Sequence, residues 1–248
     1  MLSMLLLVLQ ATACGGQAAA LMTEARARVD AFDVPAAVAA LTRAAGRGCL
    51  EADAAAAYLA GLQAAREAYR FGGDPSSLAP VRAAEATLAR YADQGNRQAE
   101  IARFVLMAAS AGAQSERDDM RLLLEQALQL ESLQLAVGAP GAPFIPAHEV
   151  AGDLWLQVHR FETARTAYRA AASATGETPR VLIGLARTAV RLGDAPAACA
   201  AYTRLAASSG AATSAAPEIA EARERAADPA CRPRRSRSPP LTPGAGLA

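Results

Sequence analysis

Lysine is missing from this chain, and all 25 of its basic residues are arginine. The plain reading is a GC-rich coding bias rather than selection for bidentate contacts. Aromatics make up only 4% of the 248 residues and β-branched runs are absent, so strands have almost nothing to be built from. A formal net charge of +1 leaves no electrostatic footprint for nucleic acid over the folded part. Histidine occurs twice, at His148 and His159. His148–Glu149 begins like a zinc-protease HExxH, but Gly152 stands where the second histidine belongs. No CxxC spacing is present to make a zinc knot. GxSxG, a P-loop and a GxGxxG behind a strand are lacking too. The carboxylates lie on helix faces, where they usually pair with nearby arginines. No metal, no cofactor and no catalytic residue is expected, and an enzyme would need a site that leaves no local motif.

What the chain has in excess is alanine, roughly a quarter of all residues and the best helix former. The expected fold class is therefore all-α. Residues 21–135 read as loosely repeated helices. Glu51–Phe71 forms a long alanine-rich helix stopped by Gly72–Gly73–Asp74–Pro75. Ser76 or Ser77 caps a helix running to about Asp93, and Gln98–Ala113 follows the break at Gln94–Gly95–Asn96. In that helix Ile101, Phe104, Val105 and Ala108 share one face. Ser115 and Asp118 give Ser115–Leu135 a start like a capping box. Residues 136–146 hold the run Gly138–Ala139–Pro140–Gly141–Ala142–Pro143–Phe144–Ile145–Pro146, a linker that no helix crosses.

Beyond the linker lies an internal repeat. Gly152–Tyr168 and Ala186–Tyr202 align at a period of about 34 residues. Ala164 matches Ala198, Tyr168 matches Tyr202, Val158 matches Leu192 and Gly152 matches Ala186. The turn between helices falls at His159–Arg160 in the first unit and Gly193–Asp194 in the second. Gly193 accepts a left-handed conformation and Asp194 caps free amides. This part of the chain, about 147–210, resembles the tetratricopeptide repeat (TPR) family, and Phe32–Leu41 resembles the turn and second helix of another unit. There Ala37 takes the small position and Leu41 the aromatic one. The resemblance implies a right-handed α-α superhelix with a concave groove and a role as scaffold or adaptor, holding a peptide or protein partner. The competing reading is a purely structural helical subunit of an envelope assembly. Residues 214–228, with Pro217–Glu224 at their centre, read as a polar-faced helix capping the stack.

Both ends differ from this body. Leu2, Leu5, Leu6, Leu7, Val8 and Leu9 form an apolar run too short to span a bilayer, followed by Ala11–Thr12–Ala13, a cleavage-site pattern. Residues 1–20 are read as an export signal and tether, and the chain as exported to the periplasm, an envelope or the medium. Leu9–Cys14 resembles a bacterial lipobox, which implies a diacylated Cys14 and a membrane anchor; simple secretion is the alternative. In an oxidising compartment Cys199 and Cys231 could form a bridge stapling the cap to the stack, or stay unpaired. Residues 229–248, rich in arginine and proline, are expected to be disordered.

The TPR resemblance also implies where a ligand sits. The inner positions of the first unit fall on Pro146, Glu149, Asp153, Leu156 and Gln157. Those of the second fall on Arg180, Ile183, Arg187, Val190 and Arg191. One wall is acidic and the other basic, so Arg187 and Arg191 are candidates for gripping an acidic peptide or carboxylate. The alternative is that Glu149 and Asp153 simply pair with Arg187 and Arg191 across neighbouring helices.

Overall fold

The computed structural model describes residues 14–208 and 215–231. Eleven α-helices are found there: α1 Gly16–Asp30, α2 Val34–Ala45, α3 Leu50–Arg70, α4 Ala79–Asp93, α5 Arg97–Ala113 and α6 Arg117–Ala136. The second half holds α7 Ala147–Gln157, α8 Phe161–Thr175, α9 Pro179–Leu192, α10 Ala195–Ala207 and α11 Pro217–Ala227. Consecutive helices pack as antiparallel pairs, and α3, α5, α7 and α9 also touch in succession. The chain is an all-α superhelix of helix pairs, with no strand among the described residues.

One turn geometry recurs. Phe32, Gly95, Ser115, His159 and Gly193 each adopt positive φ at a helix end. In each case the next residue's amide bonds back five residues, as in Asp33 to Arg28, Glu116 to Ala111, Arg160 to Trp155 and Asp194 to Ala189. This ring satisfies carbonyls orphaned at the helix C-terminus. Asp33, Asn96 and Asp194 then cap the following helix by accepting from the amides of Ala36, Ala99 and Ala197. Glycine suits this conformation, and Phe32, Ser115 and His159 adopt it against roughly 1–2 kcal/mol of steric preference.

Several local expectations change. The predicted tether is partly helical, since α1 starts at Gly16. Neither Ser76 nor Ser77 caps α4; Asp74 accepts from both their amides, and the helix starts at Ala79 without a side-chain cap. Ser115 is the left-handed turn residue rather than a cap, so the capping box with Asp118 does not form. Pro229–Cys231 is a 3₁₀ turn, which shortens the predicted disordered tail. The apolar run 1–13 and the tail 232–248 lie outside the described residues.

Gly152, a small position of the repeat, and Gly184 in α9 have a packing reason. A Cβ on Gly152 would lie 2.7 Å from the Tyr168 ring, and one on Gly184 only 2.3 Å from it. Tyr168, fully buried, is gripped between α7 and α9 at two side-chain-free points. Gly184→Ala is expected to lower stability by about 1–3 kcal/mol, the cost of overpacking. Chemical denaturation measures it, and an unchanged midpoint would refute this packing argument.

A disulfide joins Cys14 to Cys49 with Cα atoms 5.0 Å apart, and another joins Cys199 to Cys231 at 5.1 Å. The first ties the start of α1 to the α2–α3 turn, and the second ties the 3₁₀ turn after α11 to α10. No helix among the described residues is long and apolar enough to cross a membrane.

Candidate functional site

The inner layer is not an open groove along its whole length. Tyr58 donates its hydroxyl to the Ile145 carbonyl at 3.0 Å, Arg66 pairs with Asp153, and Tyr69 donates to the Gln157 carbonyl at 3.0 Å. The three bridges span 87 or 88 residues each, so side chains of α3 reach α7 and its approach segment in one constant register. What remains open is a cavity of about 650 Å³ at the C-terminal ends of α3 and α7. Its polar lining comes from Arg66, Arg70, Asp153, Gln157, Arg180, Arg187, Arg191 and Glu218, and its apolar lining includes Phe32, Leu156 and Ile183. Phe32 projects from the α1–α2 turn and packs on the apolar cluster of α9, α10 and α11. That contact brings the first helix pair against the last.

Of the residues singled out in the sequence, Asp153, Gln157, Arg180, Arg187 and Arg191 meet around this cavity. Glu149 does not. It is 2% exposed and sits behind the wall, facing a second cavity of about 390 Å³. Arg180 is itself 7% exposed and donates from Nε to Glu149 at 2.5 Å and from Nη2 to Asp153 at 3.3 Å. The expected pairing of Glu149 and Asp153 with Arg187 and Arg191 is thus replaced by pairing with Arg180 and Arg66. The reason is depth: Arg180 leaves the first turn of α9 directly opposite Glu149, whereas Arg187 and Arg191 lie two and three turns further along.

These charges tune one another. Burial drives the Glu149 carboxyl up, further than Arg180 pulls it down. Burial also raises Asp153, but Arg66, Arg180 and the Tyr168 hydroxyl at 2.6 Å outweigh it, so Asp153 stays below the usual carboxylate range. Arg180 is held firmly protonated, because its two carboxylates overcome its desolvation. Arg66, Asp153, Glu149 and Arg180 thus form one cluster of mutually paired charges.

Arg187 is also engaged. Its guanidinium forks onto Glu221 of α11, at 3.1 Å from Nε and 2.6 Å from Nη2, and Tyr202 donates to the same carboxylate at 2.6 Å. Arg70 and Arg191 are different. Both are exposed, and among the described residues neither has an ion-pair or hydrogen-bond partner. They stand on two walls of one cavity, on α3 and α9. Arg70 belongs to no motif of the sequence, and the signal it gives is the three- and four-residue spacing of Arg66, Tyr69 and Arg70, a polar face at the end of α3.

His148 Nδ1 lies 2.8 Å from Glu131, a pairing that can serve catalysis elsewhere. Here Glu131, 1% exposed, also accepts from the amides of Ala142, Ala147 and His148 at 2.8–3.1 Å. It is the peg on which the Pro/Gly linker hangs. Burial raises its carboxyl, and the His148 and amide hydrogen bonds reverse that into a net lowering. A lowered folded value adds stability above the ordinary 4.5, lost as pH falls through the folded value. Glu131→Gln should therefore cost about 2 kcal/mol or more near neutrality, since it loses charge-assisted bonds and faces amides with a donor. Urea titrations at pH 7 and pH 3 test this, and a penalty just as large at pH 3 would contradict it.

Among the described residues no group of three or more His, Cys, Asp or Glu side chains could hold a metal. The lipobox resemblance implies a lipid on Cys14, whereas here its sulfur is bonded to Cys49. One sulfur cannot carry both a disulfide and a lipid thioether, so the Cys14–Cys49 bridge and a lipid on Cys14 are mutually exclusive. Cys199 and Cys231 are bridged to each other. Comparison with protein-family models, curated proteins and solved structures returns no match.

Proposed function

We propose that this chain is an exported, TPR-like scaffold that holds an acidic peptide segment of a protein partner in the cavity between α3, α7 and α9. The observation that carries the reading is the pair of uncommitted arginines, Arg70 and Arg191, on two walls of a cavity with apolar patches. An extended acidic segment fits that arrangement, because each wall can supply a charge-assisted, bidentate hydrogen bond while Leu156 and Ile183 receive apolar side chains. Export is supported by the pairing of all four cysteines, which is typical of an oxidising compartment. Cleavage just before Cys14 leaves the Cys14–Cys49 bridge intact, so simple secretion replaces the lipid-anchored version. The role is adaptor rather than catalyst.

A fluorescein-labelled hexaglutamate peptide, followed by anisotropy, provides the test. Saturable binding is expected that weakens with salt, since exposed arginines are screened. Arg70→Glu with Arg191→Glu should weaken it by about tenfold or more, one decade being about 1.4 kcal/mol, with an unchanged helical spectrum. Binding that ignores both reversals would end the proposal.

A further inference from the structure

One arginine of the cavity wall, Arg187, already holds an acidic partner within the chain. Helix α11 presents Glu221 to Arg187 in a two-point contact shared with Tyr202, and Glu218 one turn earlier lines the cavity. We propose that α11 is an autoinhibitory element whose carboxylates occupy the basic wall until an acidic partner displaces them, releasing Arg187 to act with Arg191 and Arg70. This inference rests on the functional reading above and concerns regulation of the same site.

The attachment of α11 suits displacement. Only Ile219 and Ala222 are buried along its length. Two such side chains contribute a small fraction of what holds a core helix in place. The Arg187–Glu221 pair is also partly exposed, with side chains 42% and 29% accessible, so solvent screens it. An element with few buried contacts opens locally well below the cost of global unfolding. What keeps α11 in place is therefore its tether as much as its contacts. The Cys199–Cys231 bridge holds the far end of α11 on α10, so that Glu221 rebinds from a high effective concentration. The basic tail beyond Cys231, with Arg232, Arg234, Arg235 and Arg237, has the wrong charge to take this place.

Glu221→Gln tests the proposal on the full-length, oxidised protein with the hexaglutamate probe. Removing the internal competitor should tighten probe binding about fivefold or more, within the usual range of coupling between sites. Glu224→Gln is the control, because Glu224 is an exposed carboxylate of the same helix, whereas the carboxylate paired with Arg187 is Glu221. It removes the same charge and should leave affinity unchanged. Equal tightening in both variants would mean bulk electrostatics and overturn the proposal. Unchanged or weaker binding in Glu221→Gln, while wild type still binds through Arg70 and Arg191, overturns the gate and leaves the groove reading intact. Absence of probe binding in every variant overturns both.

Discussion

Arg180→Met is expected to destabilise the chain by about 3–5 kcal/mol at neutral pH, the cost of stripping a buried carboxylate of its partner. Glu149 is 2% exposed, and beyond Arg180 its one direct hydrogen bond is a long one of 3.4 Å from Thr178. Asp153 fares better, because Arg66 and Tyr168 remain. The loss should fall mainly on Glu149, and this gives the variant a pH signature. Burial already raises the folded Glu149 value, and without Arg180 it rises further. A carboxyl raised on folding favours the folded state when protonated, so the variant should regain stability as pH falls from 7 towards 5. Removing both charges, with Glu149→Leu and Arg180→Met, should recover most of the loss, because apolar groups of similar volume often replace a buried pair at little cost. Denaturation of the two single variants and the double variant closes the cycle. Additive losses would show that the two residues do not act as a pair.

The same cluster shows what could be read from the sequence and what could not. The all-α class and the second half of the stack were legible because they depend on local rules. Gly193–Asp194 states its own turn, and the Tyr168 and Tyr202 positions repeat with their small partners. The site was legible only in part. Projecting repeat positions onto this chain assumes that inner residues face an open groove, and that holds for Asp153, Gln157 and Arg191. It fails at Glu149, because Arg180, 31 residues away, takes its carboxylate, and the side chain faces the second cavity, lined in part by α1 and the Pro/Gly linker, which no local pattern announces. Arg70 was invisible for the same reason: its relevance comes from where α3 is placed, not from the residues around it. Arg187 was placed on the correct wall, but Glu221, 34 residues later, decides its availability.

Reduction of the two disulfides is the other large effect expected. Cys14 and Cys49 are 35 residues apart and Cys199 and Cys231 are 32 apart. In the chain-entropy model loops of that length contribute about 3–4 kcal/mol each, through restriction of the unfolded chain. The two losses should differ in character. Cys14–Cys49 holds α1 against the main core, where Ala18, Ala25 and Val29 are buried, so its loss should lower the main unfolding transition. Cys199–Cys231 holds α11, which buries only Ile219 and Ala222, so its loss should free the C-terminal helix before the rest unfolds. Hydrogen exchange on the Cys199→Ser, Cys231→Ser variant should show early deuteration confined to α11 and its contacts on α10. A peptide map of the protein purified without reductant tests both bridges. Linked peptides containing Cys14 with Cys49 and Cys199 with Cys231, and no alkylatable thiol, are the expected result. A diacylglyceryl mass on Cys14 together with a free thiol at Cys49 would rule out the first bridge, restore the lipid anchor and leave α1 without its covalent tie to the α2–α3 turn.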